Sequence, residues 1–289
     1  MSEYNLSDIG VVKKLLFDAG FSFKKSLGQN FLINPAVCPD MAKKCGCDGV
    51  GVLEIGVGIG VLTAELCKRA KKVVCVEIDR RLEAVLNESL ADYDNYEIVW
   101  QDFMKLDAAA FLKEKFGDIP VVVCANLPYY ITSPVIMRLL EERLPIDAIT
   151  VMVQREAAQR LTAKVGSREA GAVTVAVNYY AEAEVLRQVS RGSFMPSPNV
   201  DSSVIKLTLR KQPPVEIENE ELFFKIVRAG FAQRRKTLVN AVSSALHFPK
   251  PQLEAALTDV RLSKTVRADG MTMQQLADFC NAVCKIGDN

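Results

Sequence analysis

Short apolar runs alternate with segments of helical periodicity over the first two thirds of the chain, and this alternation limits the possible folds most strongly. Each apolar run has the length of a buried strand, and each segment between two runs repeats its apolar residues with the helical period. Repeated strand–helix units of this kind predict a mostly parallel α/β sheet with helices on both faces. The predicted strands cover residues 49–55, 71–78, 96–101, 119–126 and 146–154.

The pattern changes after the fifth predicted strand. Two further strand-like stretches, residues 185–190 and 202–210, predict an antiparallel edge added to the parallel sheet. A Pro-Pro pair with an acidic flank then predicts a linker, and the rest of the chain has helical periodicity only. The sequence therefore predicts an α/β domain over residues 1–212 and a small all-α domain over residues 213–289.

The charge balance excludes nucleic-acid binding through a globally basic surface. The 36 Lys and Arg residues nearly match the 35 Asp and Glu residues, which gives a formal net charge of +1. Any basic site must therefore be local. Residues 221–250 contain six basic residues and one acidic residue, and residues 187–211 are also positive overall. These two stretches are the candidate nucleic-acid contacts.

Cysteine usage and hydropathy indicate a cytoplasmic protein without a metal site. The eight cysteines are scattered along the chain, and Cys75 and Cys124 lie inside apolar runs, so we expect reduced, buried thiols. No second cysteine pair has zinc-site spacing, and the chain contains a single histidine. Since neither a signal peptide nor an apolar stretch of about 20 residues is found, we expect no membrane partner.

A glycine-rich turn follows the first predicted strand, at "VLEIGVGIG". Gly56, Gly58 and Gly60 allow a sharp turn into a helix and let a ligand approach the backbone. Glu77 ends the second strand 21 residues after Gly56, where its carboxylate can accept hydrogen bonds from ribose hydroxyls. Each feature alone is also common in purely structural roles. Their order along the chain favours a nucleoside cofactor.

The chemistry around the glycines favours S-adenosylmethionine over a dinucleotide. The spacing Gly-x-Gly-x-Gly differs from the pyrophosphate-binding pattern Gly-x-Gly-x-x-Gly. Glu54, just before the turn, suits a ligand that carries a sulfonium and an ammonium group. Asp102 ends the third strand and can accept from the adenine amine, while Phe103 offers an apolar ring to the base. These residues all lie at the carboxyl ends of successive strands, where open parallel sheets bind ligands.

The motif "NLPYY", residues 126–130, follows the fourth predicted strand, which we expect beside the first and therefore next to the cofactor. An adenine amine is a weak nucleophile, because its lone pair is delocalised into the ring. The Asn126 side chain and the Leu127 carbonyl can accept its two protons, and Pro128 fixes that carbonyl. Tyr129 can stack on the base. Taken in isolation, the motif fits an ordinary turn with packed tyrosines equally well.

A basic cluster lies in the predicted helical domain. We expect "QRRK", residues 233–236, on a helical segment near Lys225 and Arg228. Such a cluster can bind RNA phosphates with a salt-dependent affinity, although a solvated helix face is the alternative for a charge run. The RNA-binding candidates are Lys225, Arg228, Arg234, Arg235 and Lys236.

Six ordered motifs, spread over nearly the whole chain, resemble the ribosomal RNA adenine dimethyltransferases of the KsgA/RsmA type. They are "GQNFL" (28–32), "EIGVGIG" (54–60), "VEID" (76–79), "NLPYYI" (126–131), "FMPSPNVDSSV" (194–204) and "FAQRRKTL" (231–238). The resemblance implies a Rossmann-like S-adenosylmethionine-dependent methyltransferase domain and a C-terminal RNA-binding domain. It also implies dimethylation of two adjacent adenosines in the hairpin loop near the 3′ end of small-subunit rRNA.

The resemblance further implies roles for individual residues. Asn30 and Leu32 would line the methionine end of the cofactor, and Gly56 its carboxylate. Phe194 would close over the target base opposite Tyr129, and a base held between two rings has left its stack. The cofactor-binding candidates are Gln29, Asn30, Leu32, Glu54, Gly56, Gly58, Glu77, Ile78, Asp102, Phe103 and Asn126. The catalytic candidates are Asn126, Leu127, Pro128, Tyr129 and Phe194.

Two alternative functions stay open beside this one. The first is a large-subunit rRNA adenine methylase of the macrolide-resistance type, although the last of the six motifs favours the small-subunit branch. The second is an assembly factor that acts mainly by binding. In the main interpretation the protein is a monomer, its partner is small-subunit rRNA within an immature small ribosomal subunit, and it has a role in small-subunit biogenesis.

Overall fold

The computed structural model describes residues 6, 8–21 and 29–287 of the chain. The motif "GQNFL" is therefore described from Gln29 onward, and its first residue, Gly28, lies outside the described residues. In the part that is described, no helix combines the length and the apolar character needed to cross a bilayer.

Nine strands are present among the described residues. They are β1 (Phe31–Leu32), β2 (Gly51–Ile55), β3 (Lys72–Glu77), β4 (Tyr96–Trp100), β5 (Val121–Ala125), β6 (Ala148–Gln154), β7 (Ala181–Val189), β8 (Phe194–Met195) and β9 (Ser202–Leu209). Twelve α-helices occur in the same part of the chain. They are α1 (Ile9–Asp18), α2 (Val37–Lys44), α3 (Val61–Cys67), α4 (Glu83–Ser89), α5 (Ala108–Phe116), α6 (Tyr129–Glu141), α7 (Arg155–Leu161), α8 (Ala172–Tyr180), α9 (Glu220–Ala232), α10 (Leu238–Leu246), α11 (Lys250–Asp259) and α12 (Met273–Gly287).

Seven of the strands form one sheet in the order β4-β3-β2-β5-β6-β9-β7. The pairs from β4 to β6 are parallel, and β9 is antiparallel to β6. Every residue of β2 and of β5 is buried, as expected for central strands covered on both faces. The structure thus confirms the predicted α/β fold, its mostly parallel sheet with an antiparallel edge, and the adjacency of the first and fourth predicted strands.

The sequence did not predict the start of β7 or the pairing of β1 with β8, which form a separate two-stranded ribbon. β7 begins at Ala181, four residues before the predicted start at 185. Since α8 ends at Tyr180, the helix passes directly into the strand, and no loop residues mark the boundary in the sequence. The two-residue strands β1 and β8 pair antiparallel, with Phe31 opposite Met195 and Leu32 opposite Phe194. Two residues are too few to show a strand period, so the sequence gives no sign of this ribbon.

The chain divides into two compact units. The sheet unit comprises Met1–Ala158 and Glu182–Leu209, and the helical unit comprises Gln159–Ala181 and Arg210–Asn289. This division adds residues 159–181 to the C-terminal helices, whereas the sequence pattern placed them with the sheet. The domain boundary at residues 212 and 213, with the functions assigned to each domain, stays a prediction.

Aromatic packing explains why α8 groups with the C-terminal helices. The Tyr179 and Tyr180 rings pack on Phe224 of α9, with ring centroids 5.4 and 5.5 Å from it. Both hydroxyls donate to Glu220, at 3.0 Å from Tyr179 and 2.7 Å from Tyr180. Aromatic contacts of this size bury a large apolar area while the hydroxyls remain paired, so they join α8 and α9 firmly.

Candidate functional site

A cavity of about 300 Å³ lies where β2, β3, β4 and β5 end, and residues of β1 and β8 complete its wall. This is the edge at which parallel sheets bind ligands, and the volume falls within the range of small-molecule sites. The cavity brings together every cofactor-binding and catalytic candidate of the sequence. They are Gln29, Asn30, Leu32, Glu54, Gly56, Gly58, Glu77, Ile78, Asp102, Phe103, Asn126, Leu127, Pro128, Tyr129 and Phe194.

The glycine turn between β2 and α3 forms one wall of this cavity. Gly56 has a φ of +77° and its N–H donates to the Val76 carbonyl at 2.9 Å. A Cβ at Gly56 would meet no atom within 4 Å, so the backbone is open to a ligand there. Gly60, with φ +84°, is instead crowded, because a Cβ would lie 3.0 Å from the Ser89 Oγ. The two glycines are therefore required for different reasons, a ligand-accessible backbone and a close helix contact.

Glu77, at the end of β3, holds the glycine turn in place. Its Oε2 accepts from the N–H groups of Val57 and Gly58 at 2.9 and 3.3 Å. Its Oε1 accepts from Ile78 and Asp79, both at 2.8 Å. Burial raises the pKa of this carboxyl, and the four N–H groups oppose that rise. The structure thus reveals a positioning role that the sequence did not indicate, and the predicted contact with ribose would use the same two oxygens.

Glu54, inside β2, is a buried carboxyl that faces the same cavity. It is 1% exposed, and burial raises its pKa to about 8. Its Oε2 accepts a weak hydrogen bond from the Cys75 thiol at 3.6 Å, while its Oε1 has no hydrogen-bond partner among the described residues. An unpaired buried carboxyl oxygen costs free energy unless a ligand donates to it or carries a positive charge.

The loop after β4 supplies Asp102 and Phe103. Asp102 accepts from the Met104 N–H at 3.0 Å and caps a short 3-10 turn over Phe103–Lys105. Arg138 of α6 ties this turn down, since its guanidinium donates to the Phe103 carbonyl at 2.5 Å and to the Leu106 carbonyl. The same guanidinium lies over the Phe103 ring, 5.3 Å from its centroid. Arg138 was not identified from the sequence, because no short motif marks a contact between residues 35 positions apart.

The "NLPYY" motif joins β5 to α6, and both of its tyrosines lie on the first turn of that helix. Tyr129 is half-buried, and its hydroxyl lies 2.6 Å from the Ser202 Oγ of β9, so the direction of its ring is fixed. Burial raises the pKa of this tyrosine. The Asn126 side chain makes no hydrogen bond within the described part of the chain. It therefore keeps its acceptor oxygen available at the cavity wall.

The β1–β8 ribbon brings the first and fifth motifs to the cavity. It places Phe194, which is buried, opposite Leu32, and both residues line the cavity. Next to β1, the Gln29 side chain donates to Asp79 at 2.8 Å, and Asp79 also accepts from Arg81 at 2.6 Å. These bonds connect the N-terminal motif to the loop after β3.

The RNA-binding candidates lie in the helical unit, and none of them lines the cavity. The prediction that "QRRK" is helical is wrong: α9 ends at Ala232, and residues 233–236 form the turn before α10. Gln233 leaves the helix with φ −127° and ψ 53°, and Thr237 caps α10. Arg234 donates to the Arg168 carbonyl at 3.0 Å, and Lys225 pairs with Glu221 at 2.5 Å.

Metal-ligating clusters are not found within the described residues, since no group of three or more His, Cys, Asp or Glu side chains is arranged to hold an ion. The predicted burial of Cys75 and Cys124 is confirmed.

Several residues that line the cavity were not identified from the sequence, and Met104 and Tyr130 are those with large exposed apolar side chains. Met104 is 40% exposed and Tyr130 is 60% exposed. A large apolar side chain directly after an assigned site residue was the available signal for both positions.

Comparisons with known proteins identify relatives of the whole chain. The family model described as ribosomal RNA adenine dimethylase matches residues 20–285. The chain is 50% identical over 279 residues to Ribosomal RNA small subunit methyltransferase A of Geobacillus thermodenitrificans (strain NG80-2), with 95% of each chain covered. A crystal structure of a dimethyladenosine transferase from Plasmodium falciparum has a TM-score of 0.72 and 25% identity, and covers 89% of this chain and 98% of that one.

The fold also resembles the crystal structure of the 23S rRNA methyltransferase ErmE, with a TM-score of 0.67 and 27% identity over 88% of this chain and 100% of that one. The family model covers most of the chain, and the similarity to the bacterial relative extends over 95% of it. The chain therefore belongs to the ribosomal RNA adenine dimethylase family, a family of methyltransferases.

Proposed function

We propose that this protein transfers methyl groups from S-adenosylmethionine to the exocyclic amines of two adjacent adenosines in the 3′-terminal hairpin loop of small-subunit (16S) rRNA. Each adenosine receives two methyl groups. The protein acts in the cytoplasm as a monomer on the immature small ribosomal subunit, with a role in small-subunit biogenesis. One observation carries the proposal: Asn126 and Tyr129 line the same cavity as Glu54 and the glycine turn.

The cavity suits S-adenosylmethionine, which the methyltransferase family implies as methyl donor. Its lining contains three carboxyl groups, Glu54, Glu77 and Asp102, and no described Lys or Arg. This favours a cationic ligand and disfavours a pyrophosphate. Burial keeps Glu54 protonated at neutral pH in the cofactor-free protein, and a positively charged group beside its unpaired Oε1 would favour the ionised carboxylate. The open backbone at Gly56 leaves space for the ligand's amino-acid end. When bound, S-adenosylmethionine supplies an electrophilic methyl group.

Asn126 and Leu127 prepare the acceptor amine in this proposal. The Asn126 side-chain oxygen and the Leu127 carbonyl each accept one amine hydrogen, which directs the nitrogen lone pair at the methyl group. Pro128 restricts the backbone around that carbonyl. No side chain needs to act as a strong base, because the methylated ammonium is acidic enough to release its proton to water.

Tyr129 and Phe194 hold the adenine ring. Tyr129 is fixed through its hydroxyl by Ser202, and Phe194 is fixed by strand pairing with Leu32. Two fixed aromatic side chains that line one cavity can hold a base that has left its stack. Preformed positions for both rings lower the entropy cost of capturing that base.

The test is incubation of the purified protein with labelled S-adenosylmethionine and undermethylated small ribosomal subunits. Nucleoside mass analysis and mapping of the modified positions follow. We expect dimethyladenosine at two adjacent positions near the 3′ end of the rRNA.

Other outcomes would change the assignment. Modification of large-subunit RNA only would transfer the protein to the macrolide-resistance branch. Cofactor binding without methyl transfer to either subunit would support a factor that acts by binding.

A further inference from the structure

Three large apolar side chains are exposed along the mouth of the cavity. They are Ile78, Met104 and Tyr130, which are 58%, 40% and 60% exposed and line the cavity. We call them the apolar rim. They come from three separate elements, the loop after β3, the turn after β4 and the start of α6. Apolar side chains gathered at the mouth of a binding site indicate a contact with the ligand that enters there.

Tyr130 is the aromatic member of the rim, and its environment differs from that of Tyr129. The Tyr129 hydroxyl bonds to Ser202, while the Tyr130 side chain makes no hydrogen bond or ring contact within the described part of the chain. Successive residues of a helix point about 100° apart, so the two rings cannot face the same direction.

The backbone at Tyr130 is well held. The Pro128 carbonyl accepts from the Ile131 N–H and from the Thr132 hydroxyl, both at 3.1 Å. The exposed ring therefore stands on a rigid helical turn. Because the backbone is already ordered, stacking on a ligand costs only the conformational entropy of the Tyr130 side chain.

We propose that Tyr130 is a stacking platform for the nucleobase next to the adenosine that occupies the cavity. This inference rests on the proposed function, in which two adenosines are neighbours in the RNA. While one base lies in the cavity, its neighbour is one phosphodiester away and must lie at the mouth. Single-stranded bases bind proteins largely by stacking on exposed aromatic side chains, and a purine offers a large face for this.

The decisive variants are Tyr130→Ala and Tyr130→Phe in the full-length protein, with undermethylated small subunits as substrate. Loss of one base–aromatic stack raises the KM for subunits by about 5- to 150-fold in the alanine variant. The phenylalanine variant keeps the ring face, so its KM stays within about twofold of wild type. The dissociation constant for S-adenosylmethionine is the same in all three proteins.

Phe17→Ala is the matched control. Phe17 is the most exposed aromatic side chain described, at 83%, and it lies on α1 without lining the cavity. Its removal tests whether loss of any exposed ring lowers activity.

Three outcomes overturn the stacking role. The first is a KM for Tyr130→Ala equal to that of Phe17→Ala, and the second is an equal loss in Tyr130→Phe, which would assign the effect to the hydroxyl. The third is a parallel loss of S-adenosylmethionine affinity, which would indicate a structural effect on the cavity. Failure of the wild-type protein to methylate small subunits would instead overturn the proposed function.

Discussion

The two units place their candidate functional groups in opposite environments. In the sheet unit, Glu54 is buried and its pKa is raised to about 8 by that burial. In the helical unit, the RNA-binding candidate Lys225 is exposed, and its ammonium lowers the pKa of the exposed Glu221. Cavity residues such as Glu77 are held by several hydrogen bonds, whereas Arg235 and Lys236 have no ion pair within the described residues.

This difference follows from the task proposed for each unit. Methyl transfer depends on atoms placed within fractions of an ångström, and a backbone held by buried side chains such as Glu77 favours that precision. Phosphate binding acts over longer distances through accessible charge, and exposed mobile side chains are sufficient for it. Variants in the cavity should therefore change chemistry or cofactor binding, and variants in the basic turn should change RNA affinity and its salt dependence.

Asn126→Ala should give the largest loss of activity. It should also separate the chemical role of the sheet unit most clearly from the RNA-binding role of the helical unit. Loss of one side chain that stabilises the reacting centre typically lowers kcat by about 100- to 1,000-fold. The dissociation constant for small subunits should stay within about threefold. Single-turnover methylation and filter binding measure these quantities. Asn126→Asp keeps acceptor oxygens, so its methylation rate should fall less. Equal losses of methylation rate and RNA affinity in Asn126→Ala would show that Asn126 does not act in the chemical step.

Glu54→Gln should change how stability depends on pH. Because the folded pKa is raised from 4.5 to about 8, the folded protein keeps this proton where the unfolded chain has lost it. The stabilising contribution is complete below pH 4.5 and is lost as pH rises through 8, by on the order of a few kcal/mol. The free energy of unfolding of the cofactor-free protein, measured with urea, should fall less between pH 5 and pH 8.5 in Glu54→Gln than in wild type.

The control for that experiment is Glu83→Gln, at an exposed position on α4. This variant should retain the wild-type pH dependence. If Glu54→Gln also retained it, the buried carboxyl would not be the group that titrates.

Arg235→Glu combined with Lys236→Glu should weaken RNA binding with the cofactor site intact. We expect about a tenfold lower affinity for small subunits, and a salt slope reduced by about 1.5, since each lost phosphate contact removes about 0.7–0.9. Arg234 is left unchanged, because its bond to the Arg168 carbonyl supports the turn.

The charge-matched control is Lys71→Glu with Lys113→Glu, at two exposed positions outside both basic stretches of the sequence. An identical salt slope in both double variants would place the RNA on another surface. Affinity is measured by titration of labelled subunits at several salt concentrations.

Arg138→Gln should give the smallest effect, and it tests whether support behind the cavity matters. The variant loses its bonds to the Phe103 and Leu106 carbonyls, so the turn carrying Asp102 is less well fixed. We expect calorimetry to show about fivefold weaker S-adenosylmethionine binding, which is a loss of about 1 kcal/mol. This loss is smaller than the about 1.5–3 kcal/mol that a hydrogen bond to a charged group can contribute. Glu142→Gln removes only the ion pair on the solvent side of Arg138 and should bind normally. Unchanged cofactor affinity in Arg138→Gln would show that the Phe103–Lys105 turn keeps its position without Arg138.

Much of the sheet could be predicted because its signals are local. The five parallel strands are each an apolar run of five to seven residues, and the structure has them within three residues of the predicted bounds. The basic turn shows the opposite case. "QRRK" continues the helical periodicity of α9, and only the backbone at Gln233 reveals that the helix has ended. Helix ends are weakly encoded where no glycine or proline marks them.

The sequence by itself determined the fold class, the order of the strands along the chain and a set of motif residues that all line the cavity. It did so because strand periodicity and the motifs after each strand are encoded in consecutive residues. Only the tertiary structure decided how those residues are supported. The β1–β8 ribbon, the four N–H groups on Glu77 and the contact of Arg138 with the Phe103 turn join distant segments. Such contacts depend on where packing places each element in space, which no local pattern records.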